Sequence, residues 1–403
     1  MTVLVWLLAA GWLRNAWQWA RHLGELPDLT LAKWQETALP PEFSSPEKLT
    51  PSLTVVVPAC NEAAAIEATL LSLLAQTGIR LQIVAVDDRS MDATGAIMDR
   101  IADRVANEVW NERSPQHSLK VLHIQELPAG WLGKPHALAT AAAQAQAEWI
   151  LFTDGDVLFA PEALSRALRY VQAESADHLV LMPDWITGSW GEAAMHGAMH
   201  ALTTWTLRLW RVADPRAKEF LGVGAFNLIR RSAYESLGGF TALRMEVLED
   251  LRLGWMVKRA GLRQRVALGP GLVSVRWAHG AWGVVKNLEK NLFALYRFNT
   301  PLALLAAAGL LVQIALPLAA FFLPGWARWG GIAVYAAILA VYLASQRATR
   351  VPWVYFLAFP AATGLFLFAF LRSIVLGLVR QGVVWRGTRY SLKELRANAG
   401  KFW

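Results

Sequence analysis

L-T-V-V-V-P-A-C-N-E, Leu53 to Glu62, and L-Q-I-V-A-V-D-D, Leu81 to Asp88, are two short apolar runs that each stop on polar residues. Runs of this kind read as buried strands whose carboxyl ends open onto a ligand edge. The segments around them alternate. Val55 to Val57 is expected as a strand, Glu62 to Gln76 as a helix and Leu81 to Val86 as a strand. Ala93 to Ala106 follows as a helix and Leu119 to His123 as a strand. Helix Pro135 to Ala147, strand Trp149 to Thr153 and helix Pro161 to Ala173 complete the series. This order predicts an α/β fold with a doubly wound, Rossmann-like sheet. After the first strand stands P-A-C-N-E rather than G-x-G-x-x-G, which disfavours NAD or FAD.

The polar block is framed by hydrophobic ends. With 403 residues, 55% of them hydrophobic, the chain can hold one globular domain and several membrane segments. Residues 1–22 are expected to form a short spanning anchor, although Arg14 and Asn15 also suit a helix lying in the interface. Residues 23–52, with Pro27, Pro40, Pro41, Pro46 and Pro51, read as a linker. The catalytic-type block is expected over 53–300, transmembrane segments over 301–380 and a basic cytoplasmic tail over 381–403. Pro301 to Pro324, Trp329 to Ser345 and Val351 to Val379 are the apolar runs, enough for two or three spanning helices and one in the interface. Trp6, Trp12, Trp17, Trp326, Trp329 and Trp385 crowd segment ends, where indole rings sit at headgroup depth. The positive-inside trend places both block and tail on the cytoplasmic side of a multi-pass cell-membrane protein, which an odd number of crossings after Thr300 would contradict.

The net charge of +8 comes without a nucleic-acid-binding signature, so anionic lipid and a diphosphate substrate explain it more simply than nucleic acid. A single cysteine, Cys60, rules out an intramolecular disulfide and a Cys-rich metal site. His136, His196, His200 and His279 have no zinc spacing, and no G-x-S-x-G is present.

Three acidic patches carry the chemistry. Asp87 and Asp88 close a strand, where they can accept from a base or a ribose hydroxyl or cap the next helix. Asp154 and Asp156 flank Gly155 at another strand end, suited to one Mg2+ or Mn2+ ion that keeps substrate phosphate in its shell. Glu249 and Asp250 open a helical run, where they stabilise its first turn and where Asp250 can take a proton. P-A-G-W-L-G-K places Lys134 where an ammonium can meet phosphate.

Together, V-V-P-A-C-N-E, V-D-D-R-S-x-D-x-T, G-K, T-D-G-D and E-V-L-E-D resemble the family 2 glycosyltransferases, inverting enzymes with the GT-A fold. The resemblance covers about residues 53 to 300. It implies a nucleotide-diphosphate sugar held around Pro58, Glu62, Asp87, Asp88, Lys134 and Asp154, a metal on Asp154 and Asp156, and Asp250 as base with Glu249 beside it. The hydrophobic ends resemble the branch that glycosylates membrane lipids such as carotenoid acids, hopanoid-related compounds or sphingolipid-like acceptors. V-S-V-R-W, Val273 to Trp277, matches the Q-x-x-R-W of processive synthases at Arg276 and Trp277 but has Val273 in place of Gln. Arg386 or Arg389 of the tail can close over the diphosphate or bind lipid headgroups. The expected reaction is transfer of one sugar, foremost from a UDP-sugar, to a lipid-type acceptor. A processive polysaccharide synthase and a non-catalytic nucleotide-binding scaffold are the alternatives, and protein partners are not legible.

Overall fold

The computed structural model describes residues 1–36, 52–107 and 117–399. The prolines Pro40, Pro41, Pro46 and Pro51 of the expected linker lie outside the described residues. The chain divides into two units. Among the described residues, one comprises 27–184 and 211–275; the other comprises Met1–Leu26, Trp185–Trp210 and 276–399. The stretch from 53 to 300 is therefore shared between them.

The first unit is built on a seven-stranded sheet in the order β3-β2-β1-β4-β8-β6-β9. Its strands are β1 (Leu53–Ala59), β2 (Leu81–Asp88), β3 (Ser118–Ile124), β4 (Trp149–Phe152), β6 (His178–Leu181), β8 (Asn227–Arg230) and β9 (Gln264–Ala267). β1, β2, β3 and β4 are mutually parallel, as expected of strands linked through helices. β1 is buried at every position, which is why its sequence is apolar but for Thr54 rather than alternating. β8 runs antiparallel to both β4 and β6, so the sheet is mixed rather than uniformly doubly wound. Beside the sheet, β5 (Val157–Phe159) pairs antiparallel with β10 (Val273–Val275). The chain leaves the unit at the two-residue strand β7 (Asp184–Trp185).

One helix starts later than its sequence suggests. The helix expected from Glu62 begins at Ile66, because Asn61 takes a left-handed φ of 56°. The next amides are satisfied from the side: the Glu62 N–H donates to Thr94 Oγ1 at 2.8 Å and the Ala63 N–H to Asp92 Oδ2 at 3.2 Å.

A buried polar network fastens the far half of the sheet. His178 is fully buried, with Nε2 2.6 Å from Asn227 Oδ1 and Nδ1 3.0 Å from Gln264 Nε2. Gln264 also donates to the carbonyls of Leu221 and Gly254, both at 3.1 Å, and accepts from the Leu221 N–H at 3.1 Å. Gly254 lies in the Glu249–Arg259 helix, so the network positions that helix on the sheet.

Among the described residues, the second unit has three helices long and apolar enough to cross a membrane: Thr300–Phe321, Trp326–Gln346 within Trp326–Thr349, and Trp353–Val379, which opens with a 3-10 turn. The Thr2–His22 helix is not among them, since Arg14, Asn15, Gln18 and Arg21 dilute its apolar character. It packs along Trp326–Thr349, with Trp19 Nε1 donating to Ser345 Oγ at 2.8 Å. Gly280–Leu295 and Trp190–Thr203 are shorter helices of this unit. At its end, β11 (Gly382–Trp385) and β12 (Thr388–Ser391) form a hairpin whose turn residues Arg386 and Gly387 both have positive φ, as a two-residue type I′ turn requires.

Burial pushes the His178 imidazole down to about 4. Because its folded value lies below the ordinary histidine value of about 6.5, the unfolded chain binds the extra proton, and stability falls as pH drops from about 6.5 towards 4. Gln264→Leu removes the bonds to His178 Nδ1, to the amide and carbonyl of Leu221 and to the Gly254 carbonyl, and is expected to cost about 3 kcal/mol. Pulse proteolysis in detergent from pH 5 to 8 checks both effects.

Candidate active site

The carboxyl ends of β1, β2 and β4 gather the acidic residues of the first unit. β2 ends in adjacent acids, and adjacent strand residues point to opposite faces. Asp87 accepts from the Ser90 N–H at 3.2 Å and stands 3.1 Å from His123 Nδ1, whose Nε2 lies 3.0 Å from Asp99. Bonding to Asp87 and then Asp99 raises the His123 imidazole above its ordinary range. Asp88 is buried and is gripped by Arg89, with contacts of 2.8 and 3.1 Å. Ser90 Oγ accepts from the Asn61 N–H at 3.0 Å, and the Met91 N–H donates to Asn61 Oδ1 at 2.7 Å. The loop after β1, carrying Pro58 and Glu62, is thereby laced to the loop after β2.

The turn Thr153-Asp-Gly-Asp156 follows β4 directly. A side chain at Gly155 would put its Cβ 3.2 Å from Ala59 Cβ and 3.4 Å from the Pro58 carbonyl, so glycine lets this turn sit close against β1 without Ala59 giving way. Thr153 Oγ1 donates to the Ala225 carbonyl at 2.8 Å. One residue earlier, Gly224 leaves open a space in which a Cβ would stand 2.5 Å from Asp154 Oδ2 and 3.2 Å from Lys134 Nζ.

Lys134 joins two of the three acidic patches. Its Nζ lies 2.7 Å from Asp154 Oδ1 and 2.6 Å from Glu249 Oε1. The lysine enters from the second position of the Gly133–Ala142 helix, and Glu249 and Asp250 from the first turn of the Glu249–Arg259 helix. Burial works against the ammonium, but Asp154, Glu249 and Asp250 outweigh it and hold Lys134 well above the ordinary lysine range. Glu249 is buried, whereas Asp250 is half-exposed, with Oδ1 accepting from the Leu251 N–H at 2.7 Å. The Asp250 carbonyl accepts from Asn227 Nδ2 at 3.4 Å, linking this turn to the His178 network.

Asp156 supplies a test of the expected metal. Burial first, then the charges of Asp154 and Glu62, push its carboxyl up to about 7, against the opposing pull of Lys134. Carboxylates so crowded that one holds its proton near neutrality suit a divalent cation. Among the described residues no three His, Cys, Asp or Glu side chains form a ligand cluster. The chemistry of the site fits a hard ion that takes one or two carboxylates from protein and its other oxygens from phosphate and water.

Pro58, Glu62, Asp87, Asp88, Lys134, Asp154, Asp156, Glu249 and Asp250 all belong to the first unit. Arg276, Trp277 and Arg386 belong to the second. There Arg276 Nη2 lies 3.6 Å from Glu192 Oε1, a fully buried carboxylate that also accepts from the Gly188 and Gly280 amides. The Trp277 carbonyl accepts from Asn287 Nδ2. Asn61, His123 and Gly224 were not singled out from sequence. Asn61 stood inside a quoted motif, whereas the partners of His123 become neighbours only when β3 pairs with β2.

Removing one partner of a buried ion pair leaves the other charge stranded, at a cost of about 3 kcal/mol or more. Lys134→Met and Glu249→Gln are each expected to destabilise the protein by about that amount. The double variant is expected to cost clearly less than the sum, and a double-mutant cycle on denaturant midpoints measures the coupling.

Residues 54–238 match the model of the family described as Glycosyl transferase family 2. The chain is 32% identical over 126 residues to the succinoglycan biosynthesis protein ExoO of Rhizobium meliloti (strain 1021), covering 31% of each. It is 23% identical over 231 residues to the 4,4'-diaponeurosporenoate glycosyltransferase of Staphylococcus haemolyticus (strain JCSC1435), covering 56% of this chain and 57% of that one. The matched parts thus span about a third and just over half of these relatives' lengths. Among solved structures, the mannosyltransferase PcManGT from Pyrobaculum calidifontis, in complex with GDP-Man and Mn2+, aligns with a TM-score of 0.47 and 19% identity, covering 94% of this chain and 99% of that one. Over residues 54–238, somewhat under half of its length, the chain is thus similar to the glycosyl transferase family 2 model.

Proposed function

We propose that the protein transfers a sugar, with inversion, from a nucleoside-diphosphate donor, foremost a UDP-sugar, to a hydroxyl or carboxyl group of a membrane lipid. The observation that carries this reading is the Lys134 bridge, which draws the D-x-D turn and the Glu249-Asp250 turn to one ammonium. A site of that kind can hold donor phosphate on one side and a base on the other.

In this reading Asp87 and Asp88 flank the nucleoside, with His123 and Arg89 fixing their carboxylates. Pro58 and Glu62 line the neighbouring loop. Asp154 and Asp156 would hold Mg2+ or Mn2+, which when bound supplies charge to stabilise the leaving diphosphate. Asp250 accepts the proton of the acceptor hydroxyl while that oxygen attacks the anomeric carbon from the face opposite the diphosphate. The new C–O bond forms as the bond to the diphosphate breaks, and the nucleoside diphosphate leaves with the electron pair. A carboxylate acceptor attacks already deprotonated and leaves Asp250 only an orienting role. Lys134 keeps Glu249 neutralised, so that Asp250 remains the available base of the pair.

The membrane part of the reading is supported by the three apolar helices and by the relative whose name includes 4,4'-diaponeurosporenoate. The relative named for succinoglycan biosynthesis favours a second reading, a polysaccharide product. Val273, where a synthase motif has Gln, is fully buried in β10 opposite Phe159.

Membranes holding the full chain or Asp250→Asn, given radiolabelled UDP-, GDP- and dTDP-sugars, are expected to place label in a small lipid product only with the native chain. The variant should lose at least about 100-fold in rate, and chelation of divalent ions should abolish transfer. Label in a polymer fraction would establish the second reading, and transfer unchanged in Asp250→Asn would remove Asp250 from the chemistry.

A further inference from the structure

Counting apolar segments gives three crossings after Asn299, yet contacts inside the second unit allow only an even number. Thr300–Phe321 starts behind its N-cap Asn299, which follows Arg297 and Phe298. Arg297 Nη2 donates to the Ala399 carbonyl at 3.2 Å, and Arg396 Nε donates to the Phe298 carbonyl at 3.1 Å. Glu289 pairs with Arg372 at 3.2 Å and Arg380 at 2.8 Å. Ser373 Oγ accepts from the Phe293 N–H at 3.0 Å. The last turns of Phe359–Val379 and the tail therefore share one end of the helix bundle with the start of Thr300–Phe321.

Thr300–Phe321 and Trp326–Thr349 are joined by a short turn and pack as an antiparallel pair, with the rings of Phe321 and Tyr335 5.3 Å apart. Thr349 is thus back at the starting end. What remains, Trp353–Val379, begins and finishes there. Its opening 3-10 turn does not stay at that end, because Phe356 reaches Tyr342 at 6.1 Å and Tyr335 at 6.3 Å between ring centroids. At 1.5 Å per residue these tyrosines lie about 10 and about 20 Å down the helix from Thr349.

We propose that Trp353–Val379 is a re-entrant segment, which dips into the bilayer from the side on which Thr300–Phe321 begins and returns to that side. The inference rests on the membrane reading above. The partner that covers its outer face is lipid. Trp353, Val354, Leu357, Phe368, Leu371, Val375 and Val379 are exposed, while Ala362, Ala369, Phe370, Ile374 and Gly377 are buried. The exposed side is wholly apolar and continues that of Thr300–Phe321, where Leu302, Leu305, Leu311 and Val312 are exposed. Charges on the segment are neutralised inside the unit, Arg372 by Glu289. The number of complete crossings is restored by Thr2–His22, which runs parallel to Trp326–Thr349 from Trp6 Nε1 on the Trp326 carbonyl (3.0 Å) to Trp19 on Ser345. From Val3 to Leu13 its exposed side chains, Val3, Leu4, Trp6, Leu7, Ala10 and Leu13, are apolar, so it crosses beside its partner although its overall composition is too polar to mark it.

The full chain with Cys60→Ala and one new cysteine, at Lys286, Pro324 or Lys393, is labelled in sealed vesicles of single orientation with a membrane-impermeant maleimide. Lys286→Cys and Lys393→Cys are expected to label from the same side. Pro324→Cys should label there at least tenfold more slowly until the vesicles are opened. Lys393→Cys on the side of Pro324→Cys would make Trp353–Val379 a full crossing and overturn the proposal, as would all three positions on one side. Release of the chain by alkaline carbonate would instead overturn the membrane reading on which it rests.

Discussion

A half-buried lysine ammonium held between two carboxylates is the contact on which this molecule's site depends. Asp154 comes from the end of β4, Glu249 from a helix start reached only after the chain has passed through the second unit, and Lys134 from the helix that follows β3. Without a cation between them, crowded acids at neutral pH would repel and the two turns would part. The same contact leaves Asp250, one residue beyond Glu249, half-exposed at the helix start. In the proposed reaction Glu249 serves as a structural acid and Asp250 as the chemical one, a division that two adjacent carboxylates can achieve through environment alone.

Below this contact lies a second constraint, the His178–Asn227–Gln264 network. It is neutral, buried and fully engaged, and it ties the Glu249–Arg259 helix to β6, β8 and β9. Asn227 serves both layers, since it also donates to the Asp250 carbonyl. Placement of the acid turn is therefore a property of the sheet rather than of a loop.

The strands and the acidic patches were readable because each strand is a short apolar run ending in acids, and that pattern is local. β1, β2 and β4 fall where the runs predict. The start of the helix after β1 was not readable, because it depends on the left-handed Asn61 and on bonds to Thr94 and Asp92 across the sheet edge. Nor could sequence give the antiparallel insertion of β8, or the partners of His178, which lie far away along the chain. The Thr2–His22 helix shows the opposite difficulty. Its polar residues lower its mean hydropathy, and composition does not tell that Asn15 turns inward onto Thr204 Oγ1 at 2.7 Å while Arg14 and Arg21 stay exposed. Lys134 was expected beside phosphate and is found between carboxylates, a position from which it can serve either.

If Asp250 deprotonates an acceptor that attacks directly opposite the diphosphate, the stereochemistry of the product is fixed by geometry. The anomeric configuration of the transferred sugar, read by NMR from the coupling constant of its anomeric proton and compared with that of the donor, measures this. A configuration opposite to the donor's is expected, whereas retention would contradict a single displacement and remove Asp250 from the role of base.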